Sequence, residues 1–174
     1  MKRTDKLLAA MPENTAALLH NESNIFYLSG YTGEGLLLVA PGINAVITDF
    51  RYVEQAHIQS PEWELAQWST DADYPALAAK LARAENAREV LVETDCLTYD
   101  AWQGFARAME GVKLSAMGGI PEKLREVKDE AELESIRRAA AIASDAFVNL
   151  LPRIHAGMTE KKRATASAAA LMAN

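Results

Sequence analysis

The stretch GLLLVAPGINAVITD, residues 35–49, carries the clearest indication of the fold. Two apolar runs, residues 35–40 and 44–49, are separated by the short segment PGI. Adjacent proline and glycine favour a tight turn, and apolar runs of this length are typical of buried strands. The stretch therefore predicts a β-hairpin, and a hairpin makes the sheet that contains it at least partly antiparallel.

On both sides of this hairpin the spacing of apolar residues alternates between the periods of helix and strand. Further strands are predicted over residues 15–20, 63–69, 88–94 and 112–118. Helices are predicted over residues 2–11, 22–30, 50–59, 73–85 and 98–109. This pattern indicates an α/β fold in which a mixed β-sheet is flanked by helices, and a long linking helix follows it.

The composition excludes several classes of protein. A net charge of −6 and a pI near 5.1 argue against a nucleic-acid partner, because phosphate binding needs clustered basic residues. No apolar run is long enough to cross a membrane. Cys96 is the single cysteine, so an intramolecular disulfide is excluded, and we expect a small buried thiol there. These features predict a cytoplasmic protein.

The sequence changes character after residue 123, and we predict two domains, residues 1–123 and 124–174. Asp129 and Glu132 form a capping-box pair at the start of a helix over residues 129–151, which Pro152 ends. Thr159 is the expected N-cap of a further helix. The long helix carries an apolar stripe formed by Leu133, Ile136, Ala140, Ala143, Phe147 and Leu150. Since little sequence remains to cover this stripe, we expect an incomplete second domain that promotes dimerisation or aggregation.

Few residues are arranged for catalysis. The three histidines, His20, His57 and His155, lie far apart in the sequence, and no HExxH motif is present. Glu93 and Asp95 lie on the same side of the end of a predicted strand, where they could hold a cation or act as an acid/base pair, although such carboxylates are more often solvated or cap the following helix. We therefore predict no metal ligand and no catalytic residue in this chain.

Arg51 has an unusual place, because a cation is disfavoured at the positively charged start of a helix. In one interpretation, Asp49 or Thr48 caps the helix and Arg51 forms a surface pair with Asp49 or Glu54. In the other, Arg51 stands at a strand-to-helix edge and presents its planar guanidinium to a carboxylate of a ligand or partner chain. The spacing alone leaves both interpretations open.

Three segments together carry a family resemblance: NIFYLSGYTGEGLLLV at 24–39, ITDFRYVEQA at 47–56, and LREVKDEAELESIRRAAAIASDAF at 124–147. They resemble the creatinase/prolidase/Xaa-Pro aminopeptidase family, and the resemblance runs from about residue 5 to residue 161. It implies a creatinase-type N-terminal domain followed by the first helices of a pita-bread metallopeptidase domain. From Lys162 onward the resemblance ends, and we expect either unrelated terminal residues or a changed reading frame.

The resemblance implies a function for the whole protein and a different one for this chain. The family's peptidases cleave the bond before proline with two divalent metal ions (Mn, Co or Zn), whose ligands are expected beyond the linking helix. By itself the chain is therefore expected to be inactive and to bind no metal. Its implied role is to form a homodimer and to cap the partner's active site, where Arg51 and Tyr52 would face the carboxylate of a proline-containing peptide. The alternatives are a peptide-binding interaction module of a non-catalytic relative, or a small enzyme that uses Glu93 and Asp95.

Overall fold

The computed structural model describes residues 1–172, which divide into two compact units. The first unit comprises Met1–Glu126, and the second begins at Val127. The first contains every strand among the described residues, and the second contains helices alone.

A six-stranded mixed sheet forms the centre of the first unit, as the sequence predicts. Its strands are β1 Thr15–Leu19, β2 Leu36–Ala40, β3 Ile43–Thr48, β4 Glu64–Gln67, β5 Glu89–Val92 and β6 Lys113–Ala116. Their order across the sheet is β4-β3-β2-β1-β5-β6. Strands β2 and β3 form the predicted hairpin, with Leu36 opposite Ile47 and Ala40 opposite Ile43.

The directions of the strands place most of the loops that could carry function on one side of the sheet. Strand β2 is antiparallel to both of its neighbours, whereas the pairs β1–β5, β5–β6 and β3–β4 are parallel. Five of the six strands therefore end at the same edge, which we call the carboxyl edge. Ligands of open α/β sheets commonly bind outside such an edge.

Six helices flank the sheet in the first unit. They are α1 Arg3–Ala9, α2 Glu22–Ser29, α3 Val53–Gln59, α4 Tyr74–Ala84, α5 Tyr99–Ala108 and α6 Ile120–Glu126. Helix α2 ends at Gly30, which adopts φ +77°, a left-handed conformation that glycine reaches without strain. The short α6 is absent from the prediction. Of the helices within residues 1–172, none has the length and apolar character needed to cross a membrane.

Apolar side chains cover both faces of the sheet, which explains why the sequences of β1 and β2 are continuous apolar runs. On one face, Leu18, Leu38 and Val90 pack under α4 and α5. On the other, Leu19, Leu37 and Val46 pack with residues of α1, α2 and α3. The sheet is thus a rigid layer from whose carboxyl edge the loops project.

The second unit contains the predicted linking helix, α7, over Glu130–Leu150, then a short 3-10 helix at Leu151–Arg153 and α8 at Glu160–Met172. The capping box is present: Glu132 N–H donates to Asp129 Oδ1, and Asp129 N–H donates to Glu132 Oε2, both over 2.9 Å. Part of the apolar stripe is buried and part is open, since Leu150 is 8% exposed whereas Phe147 is 59% exposed.

Candidate functional site

The segment that follows β3 forms a tight turn before helix α3 begins. Tyr52 N–H donates to the carbonyl of Asp49 over 3.1 Å, and α3 starts at Val53 rather than at residue 50. The expectation that Asp49 or Thr48 caps this helix is wrong, because Tyr52 occupies the N-cap position and no side chain caps it. Arg51 therefore belongs to the turn at the carboxyl edge and lies outside the first turn of α3.

The guanidinium of Arg51 is held by two carboxylates. Its Nε donates to both oxygens of Asp49 over 3.1 Å, and its Nη2 donates to Asp49 Oδ2 over 2.6 Å. Nη2 also donates to Glu34 Oε2 over 2.9 Å. The predicted pairing with Asp49 is present, but the second partner is Glu34 and not Glu54, because the loop before β2 lies beside this turn.

These contacts leave one end of the guanidinium open. Arg51 has five N–H donors; Nε and Nη2 use three of them on Asp49 and Glu34, whereas Nη1 donates to none of residues 1–172. The Arg51 side chain is 55% exposed, while that of Asp49 is only 11% exposed. Arg51 is thus anchored on its inner side by a nearly buried carboxylate and faces solvent with its Nη1 end.

Electrostatics stabilise the charged forms of this pair. Hydrogen bonds from Arg51 hold the pKa of Asp49 below its usual range, and the hydrogen bond to Asp49 raises the pKa of Arg51. The ring of Tyr52 lies beneath the guanidinium, with its centroid 5.1 Å from Cζ, a cation–π distance. The charge and the aromatic ring at this turn are therefore pre-organised in one orientation.

The loop that carries Glu34 is fixed by its backbone. Thr48 Oγ1 and Tyr31 Oη both donate to the carbonyl of Glu34, over 2.6 and 2.9 Å. Gly35 adopts φ +151°, and a Cβ at this position would collide with the carbonyl oxygen of Ile47. Since the Glu34 side chain is 66% exposed, the main chain holds the loop against β3 while the carboxylate stays free to move.

Tyr74, the first residue of α4, is absent from the sequence prediction, but the charge of Asp49 at this turn affects its hydroxyl. Its side chain is half-buried against the core beneath α4. Burial raises the pKa of its hydroxyl first, and the negative charge of Asp49 raises it further. The sequence signals a helix start at Asp73, but no local pattern connects that start with a turn more than twenty residues earlier.

Glu93, at the end of β5, has a structural role that differs from the cation site considered above. It is 3% exposed, and its Oε2 accepts from the backbone N–H groups of His20 and Asn21 over 2.5 and 2.7 Å. Its Oε1 accepts from the side-chain amide of Asn24 over 2.5 Å. Burial is the main cause of its raised pKa. Glu93 thus joins the ends of β1 and β5 to helix α2.

The remaining candidate ligands do not assemble into a metal centre. Asp95 is exposed, whereas the carboxylate of Glu93 is committed to amide donors. In the part of the chain that the structure describes, no group of three or more His, Cys, Asp or Glu side chains could hold a metal ion. A two-metal hydrolytic centre therefore does not fit these residues.

Cys96 is exposed, and the expectation of a buried thiol is wrong. It lies in the loop after β5, where the chain leaves the sheet, so the apolar character of the preceding strand does not extend to it. Partial burial and the nearby Glu93 carboxylate raise the pKa of its thiol to about 11. Such a thiol stays protonated at neutral pH and is a poor nucleophile.

Comparisons with known proteins agree on the first unit. Residues 3–127 match the Creatinase/Prolidase N-terminal domain family. The chain is 29% identical to the Xaa-Pro dipeptidase from Bacillus anthracis, with a TM-score of 0.89, over 98% of this chain and 48% of that one. It is 31% identical to the N-terminal domain of the cytoplasmic peptidase PepQ from Mycobacterium tuberculosis H37Rv, with a TM-score of 0.63, over 70% of this chain and 97% of that one.

A third relative is the uncharacterized peptidase YqhT of Bacillus subtilis (strain 168), which is 28% identical over 144 residues. That match includes 82% of this chain and 40% of the relative. The chain thus spans about half the length, or less, of the full-length peptidases that it matches.

Proposed function

The chain belongs to the Creatinase/Prolidase N-terminal domain family, and from that premise we propose that it is the non-catalytic, substrate-facing part of a Xaa-Pro dipeptidase or aminopeptidase. In this proposal it forms a homodimer and caps the active site of its partner. Arg51 and Tyr52 face the substrate there and bind the carboxylate of a proline-containing peptide. We place the protein in the cytoplasm, as its relative PepQ is described.

The observation that carries this proposal is the half-open guanidinium of Arg51. Asp49 fixes the inner side of the group, so little conformational entropy is lost when a ligand binds its outer side. Arginine suits this task because its planar group matches a carboxylate in charge and geometry. The hydroxyl of Tyr52, whose ring lies beneath the guanidinium, is the second proposed contact.

Hydrolysis is assigned elsewhere in this proposal. The two divalent ions of a proline peptidase would activate water, and the described residues do not fit such a centre. The chemistry available at the carboxyl edge is recognition: a fixed cation, aromatic rings and hydroxyl groups. We therefore propose that this chain orients the substrate while residues outside the described chain carry out the cleavage.

Calorimetric titration with glycyl-proline tests the recognition step. We expect binding to the unmodified chain, no binding of the C-terminally amidated peptide, and loss of binding in Arg51→Met. Arg107→Met removes an exposed cation on α5 and is the matched control, which should bind like the unmodified chain. Equal binding of the amidated and free peptides would overturn carboxylate recognition by Arg51.

The dimer is tested separately by sedimentation equilibrium over a range of concentrations. We expect a monomer–dimer equilibrium, because large apolar side chains such as Ile136 and Phe147 are 51% and 59% exposed. A monomer at every concentration up to the millimolar range would contradict the proposed homodimer.

An interaction module is the alternative function, and one observation favours it. Phe50, next to Arg51, is 71% exposed, and an exposed aromatic beside a cation is common at protein-binding surfaces. In that case Phe50→Ala would weaken binding to a longer peptide, and an amidated C-terminus would have no effect. The amidated ligand therefore separates the two functions.

A further inference from the structure

Glu34 occupies part of the surface that the proposed ligand needs. When one carboxylate accepts from Nε and from the inner hydrogen of Nη2, the opposite edge of the guanidinium, formed by Nη1 and the outer hydrogen of Nη2, stays available. A second carboxylate can bind that edge with both of its oxygens. Asp49 holds the inner positions of Arg51, and Glu34 Oε2 holds the outer hydrogen of Nη2 at 2.9 Å. A ligand carboxylate that binds in this bidentate way must displace Glu34.

The charge balance leads to the same conclusion. Arg51 contributes one positive charge, whereas Asp49 and Glu34 contribute two negative charges within hydrogen-bond distance of it. The cluster is therefore net negative while Glu34 is in place, and a third carboxylate would be repelled. Departure of the Glu34 side chain restores neutrality and makes room for an anion.

The structure permits this departure at little cost. Glu34 is held through its backbone carbonyl, which accepts from Tyr31 Oη and Thr48 Oγ1, so its side chain can rotate without movement of the loop. The ion pair to Arg51 is itself solvent-exposed, 55% for Arg51 and 66% for Glu34, and exposed pairs are weak. Asp49, with a side chain 11% exposed and three hydrogen bonds from the Arg51 side chain, is by contrast a fixed partner.

We propose that Glu34 is an internal placeholder carboxylate, which occupies Arg51 in the free protein and gives way to the carboxylate of the ligand. This inference rests on the proposed function and deepens it. The placeholder keeps the guanidinium oriented and makes the site selective, because a weakly bound anion does not compete with a tethered one. Glu34 is thus a specificity-determining residue, and the ligand class is a small molecule with a free carboxylate.

The test is calorimetric titration with glycyl-proline, at constant ionic strength, of Glu34→Gln and of the unmodified chain. We expect the Kd of Glu34→Gln to be about two- to fivefold lower, since exposed ion pairs have effects of this size. Glu110→Gln is the matched control: it removes one exposed negative charge from the turn before β6, at the opposite edge of the sheet. Its Kd should equal that of the unmodified chain.

The possible outcomes separate this inference from the proposed function. An unchanged or higher Kd in Glu34→Gln, with binding still lost in Arg51→Met, would overturn the placeholder and leave carboxylate recognition intact. An equally large decrease of Kd in Glu110→Gln would also overturn the placeholder role of Glu34, because the effect would then come from the net charge of the protein. Binding that survives in Arg51→Met, or no binding in any variant, would overturn the proposed function and the placeholder with it.

Discussion

Substitution of Gly35 by alanine is expected to destabilise the first unit strongly. Gly35 has φ +151°, and an added Cβ would collide with the carbonyl oxygen of Ile47 and lie 3.2 Å from Cβ of Thr48. A strained backbone conformation costs about 1–3 kcal/mol, and a collision with main-chain atoms adds roughly 1–3 kcal/mol. We expect Gly35→Ala to lower the free energy of unfolding by about 2–6 kcal/mol.

Gly111→Ala is the matched control for this substitution. Gly111 also has a positive φ of +85°, but nothing lies within 4 Å of a Cβ built there. Only the cost of the strained backbone conformation remains, which is about 1–3 kcal/mol as for Gly35. The difference between the two variants therefore isolates the close contact between the Glu34 loop and strand β3.

Urea unfolding monitored by tryptophan fluorescence measures both variants. All three tryptophans, Trp63, Trp68 and Trp102, lie in the first unit, so the signal reports on that unit alone. If the free energies of unfolding of Gly35→Ala and Gly111→Ala differ by less than about 0.5 kcal/mol, the collision does not contribute to stability. The tight contact of the loop with β3, and the fixed position of Glu34 that follows from it, would then be refuted.

Three further substitutions test other parts of the fold. Burial lowers the pKa of His20 from 6.5 to about 4, so on acidification the unfolded chain takes up a proton before the folded chain does. The free energy of unfolding should therefore fall by up to about 3 kcal/mol between pH 6.5 and 4. An equal fall in His20→Phe would contradict this assignment to His20. Asn24→Ala removes a buried amide that donates to Glu93, and we expect the free energy of unfolding measured in urea to fall by roughly 2–3 kcal/mol. A change near zero would show that the hydrogen bond between Asn24 and Glu93 does not stabilise the fold. Gly104→Ala, inside α5, places a Cβ 3.7 Å from Pro75 and should raise the free energy of unfolding by about 0.5–1 kcal/mol, whereas destabilisation would show that the helix is too crowded there.

Local features account for the parts of the fold that the sequence predicts. Pro41 and Gly42 mark the turn of the hairpin, and Gly30 marks the end of α2, because these residues act on the backbone within a few positions. The family resemblance adds the identity of the fold. Helix α6 is absent from the prediction because its sequence, IPEKLRE, presents too few apolar residues for a helical period.

The candidate site is harder to predict because it depends on contacts between distant segments. The pairing of Arg51 with Glu34 spans 17 residues and exists because the loop before β2 is anchored on Thr48. The exposure of Cys96 depends on where the chain leaves the sheet. The sequence singles out Arg51 and Tyr52, whereas their role as ligand contacts stays a prediction.

The proposed function depends on recognition at the carboxyl edge, around Arg51. The most direct measurement is a ¹H–¹⁵N NMR titration of the chain with glycyl-proline, which follows the backbone amides and the Nε–H of Arg51. We expect the largest changes in chemical shift within residues 33–35 and 49–52 and at Arg51 Nε–H. Changes confined to other segments, such as the turn at residues 110–112 on the opposite edge of the sheet, would contradict it.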